Sequence, residues 1–179
     1  MVLASKFRLV LLMVGVLCFV ALLVAGLNSQ TSEAGAIPVV RQFPSMAVEQ
    51  LEPAREVNSL QLFDAPYQLV NVWASWCSVC RQEHAFLIQL AQNNVPIIGL
   101  NYRDRASSAR QYLAKLGTPY HRTLFDPDGR LALDLGVVGT PETYLVSQSG
   151  QIVYKHLGVM NETVWQKHFA RYFSLGEKR

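Results

Sequence analysis

Two thiols three residues apart, Cys77 and Cys80 in "WASWCSVCRQEH" (Trp73 to His84), are the part of this chain best equipped for chemistry. Such a pair can ligate a metal, hold covalent haem, staple a turn or exchange electrons. A structural zinc site needs four ligands, commonly from two such pairs. No second pair exists, and His84, His121, His156 and His168 are scattered. Covalent haem needs a His directly after the second cysteine, where this chain has Arg81. A disulfide closing so short a loop removes little unfolded-state entropy and stabilises weakly. Redox exchange is the foremost reading, with a static staple as the alternative.

The elements around the pair favour redox work. "LVNVW", Leu69 to Trp73, is a short apolar run of the kind found in strands buried on both faces. After Cys77, the residues Val79, Glu83, Phe86, Leu87 and Leu90 recur at helical spacing. The cysteines therefore fall at a strand-to-helix junction, where open α/β sheets gather reactive groups. With Cys77 in the first helical turn, free N–H groups and the positive helix end would stabilise its thiolate. Cys80, one turn on, is expected to be the more buried and to act as resolving thiol.

Further along, "VPIIGL" predicts a second buried strand, and Ala109, Tyr112, Leu113 and Leu116 form a helical stripe closed by Gly117. "HRTLFD" reads as a strand, "DPDG" as a turn, and "ETYLVSQSGQIVYKH" as two strands about a Ser-Gly turn. Asn161 can cap a last helix that shares Val164, Trp165, His168, Phe169 and Tyr172 on one face. Before Pro66 the signals are mixed, with short strands and a turn expected. The order predicts an α/β sheet with helices on both faces and a hairpin at one side.

The N-terminus is of another kind. Leu9 to Leu27 contains no charged residue, and as a helix it would be about 28 Å long, near the thickness of a bilayer core. Lys6 and Arg8 precede it, which orients the N-terminus inward and everything after it outward. The expected organisation is a membrane anchor over residues 1–27, a polar linker over 28–38 and one domain over 39–175. Cys18 lies inside the apolar run as a small apolar residue. The formal net charge of +3 falls to 3 − 2 = +1 beyond the anchor, and no concentrated basic face suggests nucleic acid.

The motifs resemble a known family. "WASWCSVCRQEH", followed by "GVVGTPETYLV", looks like a thioredoxin-like protein with a central mixed sheet. "NVWASWC", "CRQEH", "LNYRD", "DPDGRLALDLGVVGTPETYLV" and the anchor are similar to the CcmG/DsbE thiol:disulfide interchange proteins of cytochrome c maturation. The resemblance runs from about Leu69 to Trp165. It implies a protein-disulfide reductase with Cys77 as exposed nucleophile and Cys80 as resolver. Pro141 matches the family's cis-proline, with the Thr140 backbone turned outward to pair with substrate, and Trp76 matches its shielding aromatic. Trp73 is read as plain core.

Glu83 and Glu142 match acidic residues near the family's active site. A carboxylate near a thiolate raises the thiol pKa and can shuttle its proton, although both glutamates could equally be solvated on the surface. Asn71 stands where ordinary thioredoxins carry a buried acid. The Ser78–Val79 pair departs from the family, where a proline is common. The implied setting is the inner membrane with the domain facing the periplasm. The implied substrate is apocytochrome c or a maturation partner, the electron donor a DsbD/CcdA-type membrane protein, and no cofactor or metal is called for. A general periplasmic disulfide reductase and a non-catalytic peptide-docking scaffold are the alternatives.

Overall fold

The computed structural model describes residues 8, 11–23, 36–37 and 41–173. The chain divides into two compact units, Met1–Gly35 and Ala36–Arg179. In the first, residues 11–23 are helical (α1) with every side chain exposed. Among the described residues, no helix is long and apolar enough to cross a membrane. The rest of the Leu9–Leu27 run and most of the linker stretch lie outside the described residues.

The second unit is built on one nine-stranded mixed sheet. Its strands are β1 (Ala36–Ile37), β2 (Arg41–Gln42), β3 (Ala47–Gln50), β4 (Arg55–Asn58), β5 (Tyr67–Trp73), β6 (Ile97–Tyr102), β7 (Arg122–Asp126), β8 (Glu142–Ser147) and β9 (Gln151–Leu157). The helices are α2 (Cys80–Gln92), α3 (Ala106–Leu116), α4 (Arg130–Leu135), α5 (Glu162–His168) and α6 (Ala170–Phe173), with a 3-10 turn over Ser59–Leu62. The strand order is β1-β9-β8-β5-β6-β7-β3-β4, and β2 also pairs with β9. The crossovers through α2 and α3 join three parallel strands, β5, β6 and β7, while β8 and β9 run antiparallel beside β5.

Strand β5 is buried along almost its whole length because it lies at the centre, which is why its sequence is apolar without alternation. Its residues still divide between two cores. Leu69 and Trp73 pack with Leu87 and Leu90 of α2, Tyr112 of α3 and Trp165 of α5. Val70 and Val72 pack on the other face with Leu131 and Leu135 of α4 and with Phe43 and Leu62. The sheet is covered on both sides.

Two features differ from the sequence reading. Arg130–Leu135, to which the sequence assigns no element, form the short helix α4; its N-cap Gly129 is left-handed, and Asp126 accepts the N–H groups of Arg130 (2.8 Å) and Ala132 (2.9 Å). As expected, the Pro-rich stretch before Pro66 forms short strands about a turn, the β3–β4 hairpin, which adds to the sheet at β7. The last helix is two pieces, α5 and α6, though Asn161 caps the first as expected by accepting from Val164 N–H at 3.0 Å. Gly117 closes α3 with φ of +83°.

Candidate active site

Strand register brings four loops to one end of the sheet. Trp73, the last residue of β5, is opposite Asn101 near the end of β6, and Val72 is opposite Glu142, the first residue of β8. Glu142 is in turn opposite Leu157, the last residue of β9. The cysteine turn, the 103–105 loop, the Thr140–Pro141 segment and the loop after β9 are therefore neighbours.

Cys77 and Cys80 form a disulfide with their Cα atoms 5.4 Å apart. The sequence placed Cys77 in the first helical turn, but α2 begins at Cys80, and Cys77 lies in the turn before it. The helix end reaches the sulfur all the same. Cys80 N–H donates to Cys77 Sγ at 3.0 Å, so one otherwise unpaired N–H of the helix start points at the atom that becomes the thiolate. The expected contrast between an exposed Cys77 and a buried Cys80 is not present: they are 5% and 3% exposed. The Cys77 sulfur lies against the start of α2, and the exposure of the turn is carried by Trp76 (59%) and its neighbours Ser78 and Val79. Trp73 is core, stacked with Tyr120 at 5.5 Å between centroids.

The turn is braced from the next strand. Asp104 accepts from Ser75 N–H (2.6 Å), Ser75 Oγ–H (2.8 Å), Arg105 N–H (2.7 Å) and Asn101 Nδ2–H (3.0 Å). Trp76 Nε1–H donates to the Arg103 carbonyl at 2.9 Å. Arg103 has a φ of +46°, which turns the chain sharply at the end of β6. Asp104, Ser75 and Arg103 were not singled out in the sequence; "LNYRD" was the signal, noted as a motif without a role.

Glu83 is 1% exposed, on the buried face of α2 with Cys80. The possibility that it is a solvated surface residue is thereby corrected. Its Oε1 accepts from Asn71 Nδ2–H (2.8 Å) and its Oε2 from Met160 N–H (2.6 Å). Asn71 also donates to Thr143 Oγ1 (3.1 Å) and accepts from Tyr120 O–H (2.8 Å). Burial raises the Glu83 pKa to about 7 against the opposing effect of these two hydrogen bonds. Tyr120 reaches Asn71 by lying across Gly99, where a Cβ would come within 2.8 Å of the Tyr120 ring and of Trp73 Nε1. A glycine is required at that crossing.

The Thr140–Pro141 peptide is cis, as is Glu52–Pro53. Pro141 is buried and Thr140 half-buried. Glu142 is also 1% exposed rather than solvated, but it faces the other side of the sheet. Thr143 contacts Asn71 on the Glu83 side, whereas Glu142 accepts from Tyr144 O–H at 2.7 Å among the residues of the opposite core. Its Oε1 accepts from Val138 N–H (2.7 Å) and Gly139 N–H (3.0 Å). Its Oε2 pairs with buried Lys155 at 3.1 Å, and Lys155 donates to the Gly136 carbonyl at 2.8 Å. Glu142 thus holds the loop that leads into Pro141, and of the two carboxylates only Glu83 shares a face with the cysteines. Among the described residues, no group of three or more His, Cys, Asp or Glu side chains could hold a metal ion.

The chain is similar to known proteins. The redoxin family model matches residues 38–172. The chain is 46% identical over 125 residues to the thiol:disulfide interchange protein DsbE of Yersinia pestis, covering 69% of this chain and 66% of that protein. It is 40% identical over 167 residues to DsbE of Pseudomonas aeruginosa, covering 92% of each. Among solved structures, that of a putative thiol:disulfide interchange protein DsbE from Chlorobium tepidum superposes with a TM-score of 0.63 at 23% identity, over 73% of this chain and 95% of that one. With its thioredoxin-like sheet and its paired sulfurs at the sheet end, the chain belongs to the DsbE (CcmG) family of thiol:disulfide interchange proteins and is a thiol:disulfide oxidoreductase.

Proposed function

We propose that this protein is a membrane-anchored reductant that faces the periplasm and opens a disulfide of apocytochrome c, or of a maturation partner, before haem is attached. The observation that carries the reading is the Cys77–Cys80 pair on a braced turn, with Glu83 buried on the same face of α2. The anchor is supported by the uncharged run from Leu9 to Leu27 behind Lys6 and Arg8. Haem attachment to cysteines needs free thiols, and an oxidising compartment works against them.

In the dithiol form, the Cys77 thiolate attacks one sulfur of the substrate disulfide. A Cys77–substrate bond forms, the substrate S–S bond breaks, and the leaving thiolate takes up a proton. Cys80 then loses its proton to Glu83, which with a pKa of about 7 can take it up near neutral pH. The Cys80 thiolate attacks Cys77 Sγ, the Cys77–Cys80 bond forms as the Cys77–substrate bond breaks, and the second substrate sulfur leaves as a thiolate that takes up a proton. Two electrons have moved to the substrate, and a membrane dithiol donor of the DsbD/CcdA type returns the pair to its reduced state. The Thr140–Pro141 segment, which leads into β8 at the sheet end where β5 gives way to the cysteine turn, is the proposed dock for an extended substrate segment.

The test is covalent trapping. A Cys80→Ser variant, reduced and mixed with a disulfide-bonded Cys-x-x-Cys-His peptide of apocytochrome type, is expected to accumulate a mixed disulfide through Cys77. Trapping that requires Cys80 and survives loss of Cys77 would reverse the assigned roles. Absence of any adduct would remove the reductase reading.

A further inference from the structure

A cavity of about 520 Å³ between α3, β7 and the Leu51–Glu52 segment has its cations already paired: Arg110 with Glu52 at 3.3 Å and Arg122 with Asp64 at 3.1 Å. A second hollow has none of that neutralisation. It holds about 300 Å³ beside the cysteine turn, lined by Ser75, Arg81, Ser108, Gln111, Tyr112 and Lys115 along with Leu116. That volume is at the lower end of ligand pockets, roughly 300–1,000 Å³.

We propose that this hollow is a subsite for a carboxylate side chain of the polypeptide substrate, carried close to its disulfide; the inference rests on the reductase reading above. Two cations, Arg81 and Lys115, line it, no Asp or Glu does, and neither cation is in an ion pair among the described residues. The Arg81 guanidinium lies over the Tyr112 ring at 5.3 Å from its centroid, which fixes a planar donor fork on one wall. Ser108 and Gln111 add neutral donors. The nearby Asp104 carboxylate is spent on Ser75, Asn101 and the Arg105 N–H, and Glu83 is buried beneath and occupied by Asn71 and Met160.

Position gives the subsite its use. Arg81 directly follows Cys80, and Ser75 stands two residues before Cys77, a span of at most about 7 Å of extended chain. An acid held there belongs to a residue within a few positions of the substrate cysteine bonded to Cys77. Such a contact raises the rate of productive encounter and selects among disulfides by flanking charge.

The test measures second-order exchange rates of the reduced full-length protein with three peptide disulfides that differ only in a flanking Glu, Gln or Lys, at low and at physiological salt. The Glu peptide is expected to react about tenfold faster than the Gln peptide at low salt, with the preference shrinking as salt rises. An Arg81→Gln/Lys115→Gln variant should bring the ratio of the Glu-peptide rate to the Gln-peptide rate to about one. Arg81→Glu/Lys115→Glu should turn it toward the Lys peptide. A Lys167→Gln control, which removes one remote exposed cation, should keep it. Equal rates for the three peptides, or a preference that survives the double neutralisation, overturns the subsite and leaves the reductase reading standing. Failure to exchange with any of the three overturns the reductase reading itself and the subsite with it.

Discussion

The Glu83 carboxylate makes a prediction with a definite sign. Burial raises its pKa from an ordinary 4.5 to about 7 in the folded protein. A raised carboxyl pKa means that the folded state holds the proton more tightly than the unfolded chain. The stability this supplies is full below the unfolded value, is lost as pH rises through the interval, and is gone above about 7. At 1.36 kcal/mol for each pH unit, the whole interval corresponds to about 3 kcal/mol, of which about 2.5 kcal/mol is lost between pH 5 and 8.5. Glu83→Gln removes this dependence.

The variant has an added penalty of its own. Both Glu83 oxygens accept, from Asn71 Nδ2–H and Met160 N–H, so a Gln amide faces one donor with another, at about 1–3 kcal/mol. A flip of Asn71, with rotation of the Thr143 and Tyr120 hydroxyls it contacts, can relieve part of it. That penalty is nearly the same at every pH and cancels in the comparison. The assay is urea unfolding of the oxidised protein at pH 5 and 8.5, for wild type and Glu83→Gln. The stability of the variant relative to wild type is expected to rise by about 2.5 kcal/mol across that range. A difference that stays flat would refute the raised pKa and, with it, the use of Glu83 as a proton acceptor near neutrality.

The resolving step should respond to the same group. In wild type, release of substrate from the Cys77 mixed disulfide is expected to quicken as pH rises through about 7, and Glu83→Gln should lose that inflection and slow the step by about 100-fold, as stopped-flow would read. Asp104→Ala removes two acceptors from Ser75 and is expected to lower urea stability by about 2 kcal/mol and to shift Trp76 fluorescence. Lys155→Met leaves Glu142 as a buried charge without its partner, at about 3–5 kcal/mol, and adding Glu142→Gln should recover most of that loss in the same unfolding experiment. Gly99→Ala presses a methyl against Tyr120 and Trp73 and should cost about 1–3 kcal/mol, with a changed near-UV circular dichroism of the aromatic stack.

What could be read in the chain beforehand was what local pattern determines. β5, β6, α2 and α3 announce themselves because an apolar run or a 3.6-residue stripe must be buried, and Asn161 and Gly117 mark helix ends by side-chain and backbone chemistry. The cysteine pair was legible by elimination of its rivals. What sequence left open depends on pairs far apart in the chain. Whether Glu83 is wet or dry depends on Asn71 and Met160, and only the alternation of β8 puts Glu142 on the opposite face from Thr143. Asp104 drew no role of its own because its partner Ser75 is twenty-nine positions away. α4 was missed because its six residues give no full stripe, and its start is set by Asp126 rather than by a cap residue of its own.

The tie between the cysteine turn and the neighbouring crossover loop bears on transplantation. Reactivity of the thiols is not portable as an octapeptide. If "WASWCSVC" were moved into another parallel sheet, Ser75 and Trp76 would arrive without the carboxylate and the carbonyl that orient them, and the sulfurs would sit on a slack hinge. A working graft has to carry the tip of the adjacent strand, from Asn101 to Arg105, as a second half of the same part.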